Sequence, residues 1–222
     1  MSEQRTNNSD ADTEAPPKGH VSARGAFEIN ANPTVDPPFP REEVDIDRSA
    51  KFFSHKPLAD KYGPDAAREK IGDMVKAVVP GTTTTKLLSQ SGPNGMTLVH
   101  VWFGPNFQLW RHSHPRDGDC LYYVIAGEII MGNRTLERGS TIFVPNGQPY
   151  KYTAGPAGVE LLEFRAGGGD SEAPGMQLDE TSFDAIQKII NVSKENEALW
   201  KAPEKMGDTM LRQAEVETKS RS

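Results

Sequence analysis

Between residues 82 and 166, apolar and polar side chains alternate at every second position, the period of a strand whose two faces differ. The spacing predicts strands over Thr82–Gln90, Met96–Phe103, Phe107–His112 and Cys120–Met131. Shorter strands follow over Arg134–Glu137, Thr141–Val144, Tyr150–Thr153 and Val159–Arg165. Gly132-Asn133 is a two-residue hairpin signal, and Ser91–Gly95 and Pro115–Asp119 read as turns. Many short strands punctuated by Gly, Pro and Asn predict a sandwich or barrel. Several of these strands are apolar on both sides. One side must therefore meet the interior, and the other a second sheet, a helix or another subunit.

Upstream, the period becomes helical. Ile71, Met74, Val75, Val78 and Val79 recur at three and four residues, Pro64 suits a first helical position, and Pro80-Gly81 stops the run. Downstream, residues 181–200 predict a second helix, with Phe183, Ile186, Ile189 and Ile190 on one face and Thr181 with Asp184 resembling a capping box. Residues 1–25 are polar, without an aromatic side chain, and are expected to be disordered. Residues 26–50, with Pro33, Pro37, Pro38 and Pro40, read as an extended arm lying across a surface. Gly167-Gly168-Gly169 starts a flexible link, and beyond Trp200 the charged chain is expected to fray.

A length of 222 residues suits one domain with appendages. The net charge of −6 is unevenly placed. Residues 1–50 hold ten acids and five bases, 51–166 ten acids and thirteen bases, and 167–222 eleven acids and seven bases. The middle is slightly basic, a weak lean toward an anionic substrate. No element carries the basic excess of a nucleic-acid binder, so no nucleic-acid partner is expected. No apolar run approaches the ~18 residues of a membrane helix, and the N-terminus lacks an apolar signal stretch. The expectation is no membrane association and a cytoplasmic location. A single cysteine, Cys120, excludes an internal disulfide framework and a multi-cysteine zinc site.

The chemistry concentrates at His112-Ser113-His114. Residues two apart on a strand project from one face, so both imidazoles can share a metal ion; a structural or surface pair is the alternative. Gln108 and Trp110 have the same parity and line the same pocket, while Arg111 points away. Glu163 and Arg165 share a face on the last strand, where they either anchor a charged ligand or pair with each other. His100, on a face with Met96, Leu98 and Trp102, is expected to be packed.

His112-Ser-His114, the following turn, the strand Cys120–Ala126 with Gly127, and Gly139 with Pro145-Asn-Gly147-Gln-Pro-Tyr150 together resemble the two motifs of the cupin superfamily over residues 80–166. His112 and His114 match two of the family's metal ligands. The acidic ligand position is Cys120, with Asp119 adjacent, and the last histidine position is Tyr150. The glycine expected six residues before the histidine pair is Asn106. If Cys120 takes the acid's place it points inward with Tyr122 and Val124, either as a small buried side chain or as part of the chemistry. Tyr122 and Tyr150 either act as acid or base on a substrate or simply fill the barrel.

The resemblance implies an all-β, jelly-roll (double-stranded β-helix) cupin barrel with flanking α-helices and a disordered N-terminal tail. Its organisation would be a tail over 1–25, arm and helix over 26–80, barrel over 81–166, and linker and C-terminal helix over 167–222. The function expected is a metal-dependent enzyme acting on a small organic molecule, in the first instance an oxygenase-type oxidoreductase. A lyase or isomerase that does not use oxygen, and a non-catalytic binding or sensing module, are the alternatives. His112 and His114 would hold one divalent transition metal, iron first, with Mn, Ni or Zn suited to the same donors, or none if the site is degenerate. Tyr122, Tyr150 and Cys120 are the catalytic candidates, and Gln108, Trp110, Glu163 and Arg165 the substrate-binding ones. The resemblance also implies a homodimer.

Overall fold

The structure is a computed structural model that describes residues 20–21, 28–47, 53–90, 95–166 and 175–220. The chain divides into two units, Met1–Pro33 and Thr34–Ser222. In the first, β1 (His20–Val21) pairs antiparallel with β2 (Glu28–Ile29). The remainder of the tail expected to be disordered lies outside the described residues, as do the Gly167–Gly169 link and most of the 91–95 turn.

The second unit begins with β3 (Phe53–Ser54), α1 (Lys56–Tyr62) and α2 (Pro64–Val78). Next come β4 (Thr82–Ser89), β5 (Met96–Phe103), β6 (His112–Ser113), β7 (Asp119–Met131), β8 (Arg134–Glu137), β9 (Thr141–Val144) and β10 (Thr153–Ala166). β11 (Met176–Leu178), α3 (Phe183–Asn196) and α4 (Thr209–Ser220) complete it. The larger sheet has the order β4-β5-β10-β7-β8, with β9 also paired to β7; the smaller has the order β3-β11-β6. Buried side chains of the larger sheet, among them Phe103, Val124, Ile129 and Leu161, join Leu109 and the helical residues Ile71, Met74, Ile186 and Ile189 in one continuous core.

Two irregularities place the interior side chains. On β7, Val124 pairs with Leu161 and Ala126 with Glu160, so Ile125 is an extra residue, a bulge. The bulge resets the alternation: Cys120, Tyr122 and Val124 are buried before it, Gly127 and Ile129 after it. Gly127 has φ +68°, and a Cβ there would lie 2.1 Å from the Gly158 carbonyl oxygen, which is why this motif position is glycine. Asn106, standing where the family has glycine, has φ 57°, a conformation asparagine tolerates, and its Nδ2 donates to Asn196 Oδ1.

Phe107–His112 is regular strand only at its end. The segment runs against residues 150–154 through Leu109 N–H to Tyr152 O and Ala154 N–H to Phe107 O. Its two bridges, Gln108 to Thr153 and His112 to Tyr150, are one residue out of step, which breaks a continuous ladder. Of the arm expected over 26–50, residues 34–40 have no regular structure and Asp36 N–H donates to Thr85 Oγ1 on β4, whereas Arg41–Glu43 form a 3-10 turn. α3 is capped by Ser182, whose Oγ accepts from Ala185 N–H, one residue beyond the expected Thr181.

The chain beyond Trp200 does not fray as expected. Glu160, fully buried on the outer side of β10, accepts from Gly207 N–H (2.7 Å), Thr209 N–H (2.8 Å) and His100 Nε2 (2.8 Å). A buried carboxylate thus receives the free N–H groups at the start of α4. Burial opposes its ionisation, but these hydrogen bonds outweigh it and hold Glu160 below the ordinary carboxyl range. A depressed folded-state value stabilises the fold above the unfolded carboxyl range of about pH 4.3, and the stabilisation fades as pH falls through the folded value. Glu160→Gln is therefore expected to lower stability at pH 7 by about 1–3 kcal/mol. Urea midpoints of variant and wild type should converge as the buffer is brought below that range; a gap independent of pH would refute the assignment.

Candidate functional site

His112 and Tyr150 face each other across a backbone pair in which each residue's N–H donates to the other's carbonyl, at 3.0 and 2.9 Å. Directly opposed residues project to the same side of a sheet, so imidazole and phenol enter the barrel together. Their ring centroids are 4.4 Å apart. His112 Nδ1 lies 3.0 Å from Trp110 O, an acceptor only, so Nδ1 carries the hydrogen and Nε2 is left as the acceptor. Tyr150 O–H donates to that Nε2 at 3.0 Å, and Tyr122 O–H in turn bonds the Tyr150 oxygen. A relay thus runs from Tyr122 through Tyr150 to His112 and ends on a backbone carbonyl.

His114 lies beside the relay, its ring centroid 5.0 Å from that of His112. Its Nδ1 bonds Asp117 Oδ2 at 2.9 Å, and this hydrogen bond holds the Asp117 carboxyl below its usual range. Both imidazoles therefore have Nδ1 tied to an oxygen. Room for Asp117 is made by Gly175, where a Cβ would come within 2.7 Å of either carboxylate oxygen. From there the chain stays on the histidine strand: Leu178 pairs with His112, Gln177 with Ser113, Asp179 N–H donates to Arg111 O, and Glu180 Oε1 accepts from Arg111 N–H.

The interior groups are uncharged. Burial, then the neighbouring His114 and Arg165, push His112 down to about 3. Burial, then Glu163, push the Cys120 thiol up to about 12. The same two causes raise Tyr122 and Tyr150, while burial and the neighbouring Tyr150 raise Tyr152. The phenols are hydrogen-bond donors, and none is a phenolate base at neutral pH. Among the described residues, charges on β10 are set beside them: Glu163 pairs across from Tyr122 and Arg165 from Cys120. Arg165 Nε donates to Glu163 Oε1 at 2.5 Å.

Of the nine candidate residues, the fold brings His112, His114, Tyr122, Tyr150, Cys120, Glu163 and Arg165 together. Trp110 is buried 6.1 Å from His112, ring to ring, whereas Gln108 is only half-buried, four residues further along the segment. Arg111 is exposed, as parity predicts, and His100 is packed on the outer face. Asp119 is turned away: its Oδ1 accepts from Asn146 N–H at the surface. Asp117 and Tyr152 were not anticipated. The signal for Asp117 is its place three residues after His114; Tyr152 shares the parity of Tyr150.

Among the described residues no group of three or more His, Cys, Asp and Glu side chains is placed to hold a metal. The residues fit a divalent ion only as an open site: two imidazole nitrogens, with Tyr150 as the neighbouring oxygen and the rest of the shell left to solvent or ligand. An ion at His112 Nε2 has to displace the Tyr150 hydroxyl hydrogen bond. For Cys120 the environment carries a direct expectation. In native protein at pH 8 the thiol should react with iodoacetamide at least about 100-fold more slowly than in urea. Comparable rates would show that the thiol is not held neutral.

No family model matches the chain, and no curated protein matches it. Solved structures do. An RmlC-like cupin from Shewanella frigidimarina is 20% identical, covering 41% of this chain and 80% of its own, with a TM-score of 0.35. The polyketide cyclase RemF from Streptomyces resistomycificus is 21% identical, covering 48% of this chain and 77% of its own, with a TM-score of 0.38. A Klebsiella pneumoniae protein with a double-stranded β-helix domain is 25% identical, covering 42% of this chain and 75% of its own, with a TM-score of 0.34. By its own strand order and the left-handed Gly127, Gly139 and Gly147 at motif positions, the barrel of this chain has the cupin, double-stranded β-helix fold.

Proposed function

We propose that the protein is an enzyme acting on a small organic molecule, with one divalent transition metal held by His112 and His114. The observation that carries this reading is the tethering of both imidazoles through Nδ1, His112 to a carbonyl and His114 to a carboxylate. Such outer partners fix the tautomer and orient Nε2 as the donor nitrogen. Two imidazoles suit Fe, Mn, Ni or Zn, and an ion so held keeps positions open to substrate, water or dioxygen. The first reading is a dioxygenase-type oxidation with iron, which requires such open positions. Tyr122 and Tyr150 hold hydrogens ready for a substrate oxygen, and Trp110 with the buried tyrosines excludes water.

Protein purified without a histidine tag is expected to contain, or take up on reconstitution, roughly one equivalent of metal. His112→Ala should weaken that binding more than about 100-fold. Less than about a tenth of an equivalent after reconstitution, by elemental analysis, would overturn the reading. A second reading, a lyase or isomerase, is favoured by the Tyr122–Tyr150–His112 hydrogen-bond chain, which offers a substrate acid–base groups and calls for no oxidant. Turnover under strict anaerobiosis selects it over the oxygenase.

The protein is also read as a homodimer. Among the described residues no helix is long and apolar enough to cross a membrane. The outer face of the sheet nevertheless exposes Phe143 (62%), Leu121 (41%) and Tyr123 (40%). In register, Phe143 abuts Leu121, Leu121 abuts Phe164, and Phe164 abuts Leu98, a row running across four strands. Light scattering should give twice the chain mass for wild type and the single chain mass for Phe143→Asp. A monomeric wild type would exclude the dimer.

A further inference from the structure

The guanidinium of Arg165 is buried (8% exposed), yet its hydrogen bonding is incomplete. Nε bonds Glu163 Oε1, while Nη2, 2.5 Å from the same oxygen, makes an ion-pair contact without hydrogen-bond geometry and has no other partner among the described residues. A buried N–H without an acceptor costs roughly 1–3 kcal/mol, and a guanidinium presents its donors as a planar fork suited to two oxygens. One carboxylate oxygen occupies one edge of that fork. The group lies among the site residues: its charge acts on His112, Asp117, Tyr150 and Cys120.

Among the described residues the charges around it are few: Glu163 and Asp117 are the carboxylates, Arg165 is the fixed cation, and His112 and His114 are neutral whenever they ligate a metal. With a divalent ion bound, the two carboxylates offset Arg165 and one of the ion's charges, leaving a single positive charge in a site from which the aromatic rings exclude water. A doubly charged anion such as phosphate overshoots that balance, and an uncharged ligand leaves it uncompensated.

We propose that the substrate is a small organic monoanion, a carboxylate, whose oxygens are received by Arg165 beside the metal. The proposal rests on the metal reading above and adds the substrate class to it. Because the ion supplies the uncompensated charge, ion and carboxylate bind cooperatively, each raising the other's affinity by the same factor. Glu163 competes with the ligand for Arg165 and limits that factor.

Mn(II) binding, followed by the loss of its free-ion electron paramagnetic resonance signal, tests this in tag-free wild-type protein. Titrations are run with Mn(II) alone, with glycolate, and with glycolamide as the uncharged control, correcting for Mn(II)–glycolate complexes in solution. Glycolate is expected to tighten Mn(II) binding about tenfold or more and glycolamide less than about twofold. Arg165→Gln should bind Mn(II) alone at least as well as wild type and lose the glycolate effect. Glu163→Gln, which leaves Arg165 in place, should enlarge it, and this variant decides the matter if Arg165→Gln does not fold. Failure of Mn(II) to bind wild type, or binding unaffected by His112→Ala, overturns the metal reading itself. Binding that depends on His112 but is indifferent to glycolate, or a glycolate effect that survives in Arg165→Gln or shrinks in Glu163→Gln, overturns the carboxylate assignment alone.

Discussion

The site depends on one reciprocal pair of backbone hydrogen bonds, His112 N–H to Tyr150 O and Tyr150 N–H to His112 O. That pair sets which side of the chain each residue presents, how far apart the rings lie, and therefore that the phenol reaches Nε2. It joins a short strand that has almost no ladder of its own to the loop after β9. Shifting the register by one residue would turn the imidazole outward and bring Ser113 in. The remaining contacts, Trp110 O on Nδ1 and Tyr122 on Tyr150, refine an arrangement that this pair already determines.

Around it the barrel contains three phenols, a thiol and a neutral imidazole, all uncharged, with the Glu163–Arg165 ion pair on the neighbouring strand. Desolvation is the common cause. A phenolate or thiolate here would lose its hydration and face Glu163, so each group keeps its hydrogen. The interior can thus donate hydrogen bonds in several directions, but it needs a bound cation or Arg165 to accommodate negative charge.

Much of the barrel was legible in the sequence because period two is a direct readout of facing. Parity placed Cys120, Tyr122 and His112 inside and Arg111 outside, and put Glu163 and Arg165 on one face of their strand. It failed beyond Val124, because a bulge at Ile125 adds a residue without leaving a mark in the hydrophobic pattern. Motif glycines were legible because left-handed backbone strongly favours glycine, and Asn106 marks the limit of that rule. The two- and three-residue strands β3 and β11 have no period to detect. α1 buries only Leu58, too little for a helical stripe. The start of α4 depends on Glu160, forty-nine residues earlier than Thr209, so no local signal announces it. Within the site, Asp117 sits in a turn where acidic residues are common for other reasons, and only coordinates distinguish it from Asp119.

The strand that carries the histidines borrows its second edge from residues 175–180, laid against it after the main barrel strands have been made. During synthesis, the barrel through Ala166 emerges first, and the free side of His112–Ser113 stays open to water until β11 is extruded. Assembly of this centre is therefore vectorial. Its geometry is finished by the chain's later third, and for that interval an unpaired strand edge is exposed to any neighbouring strand.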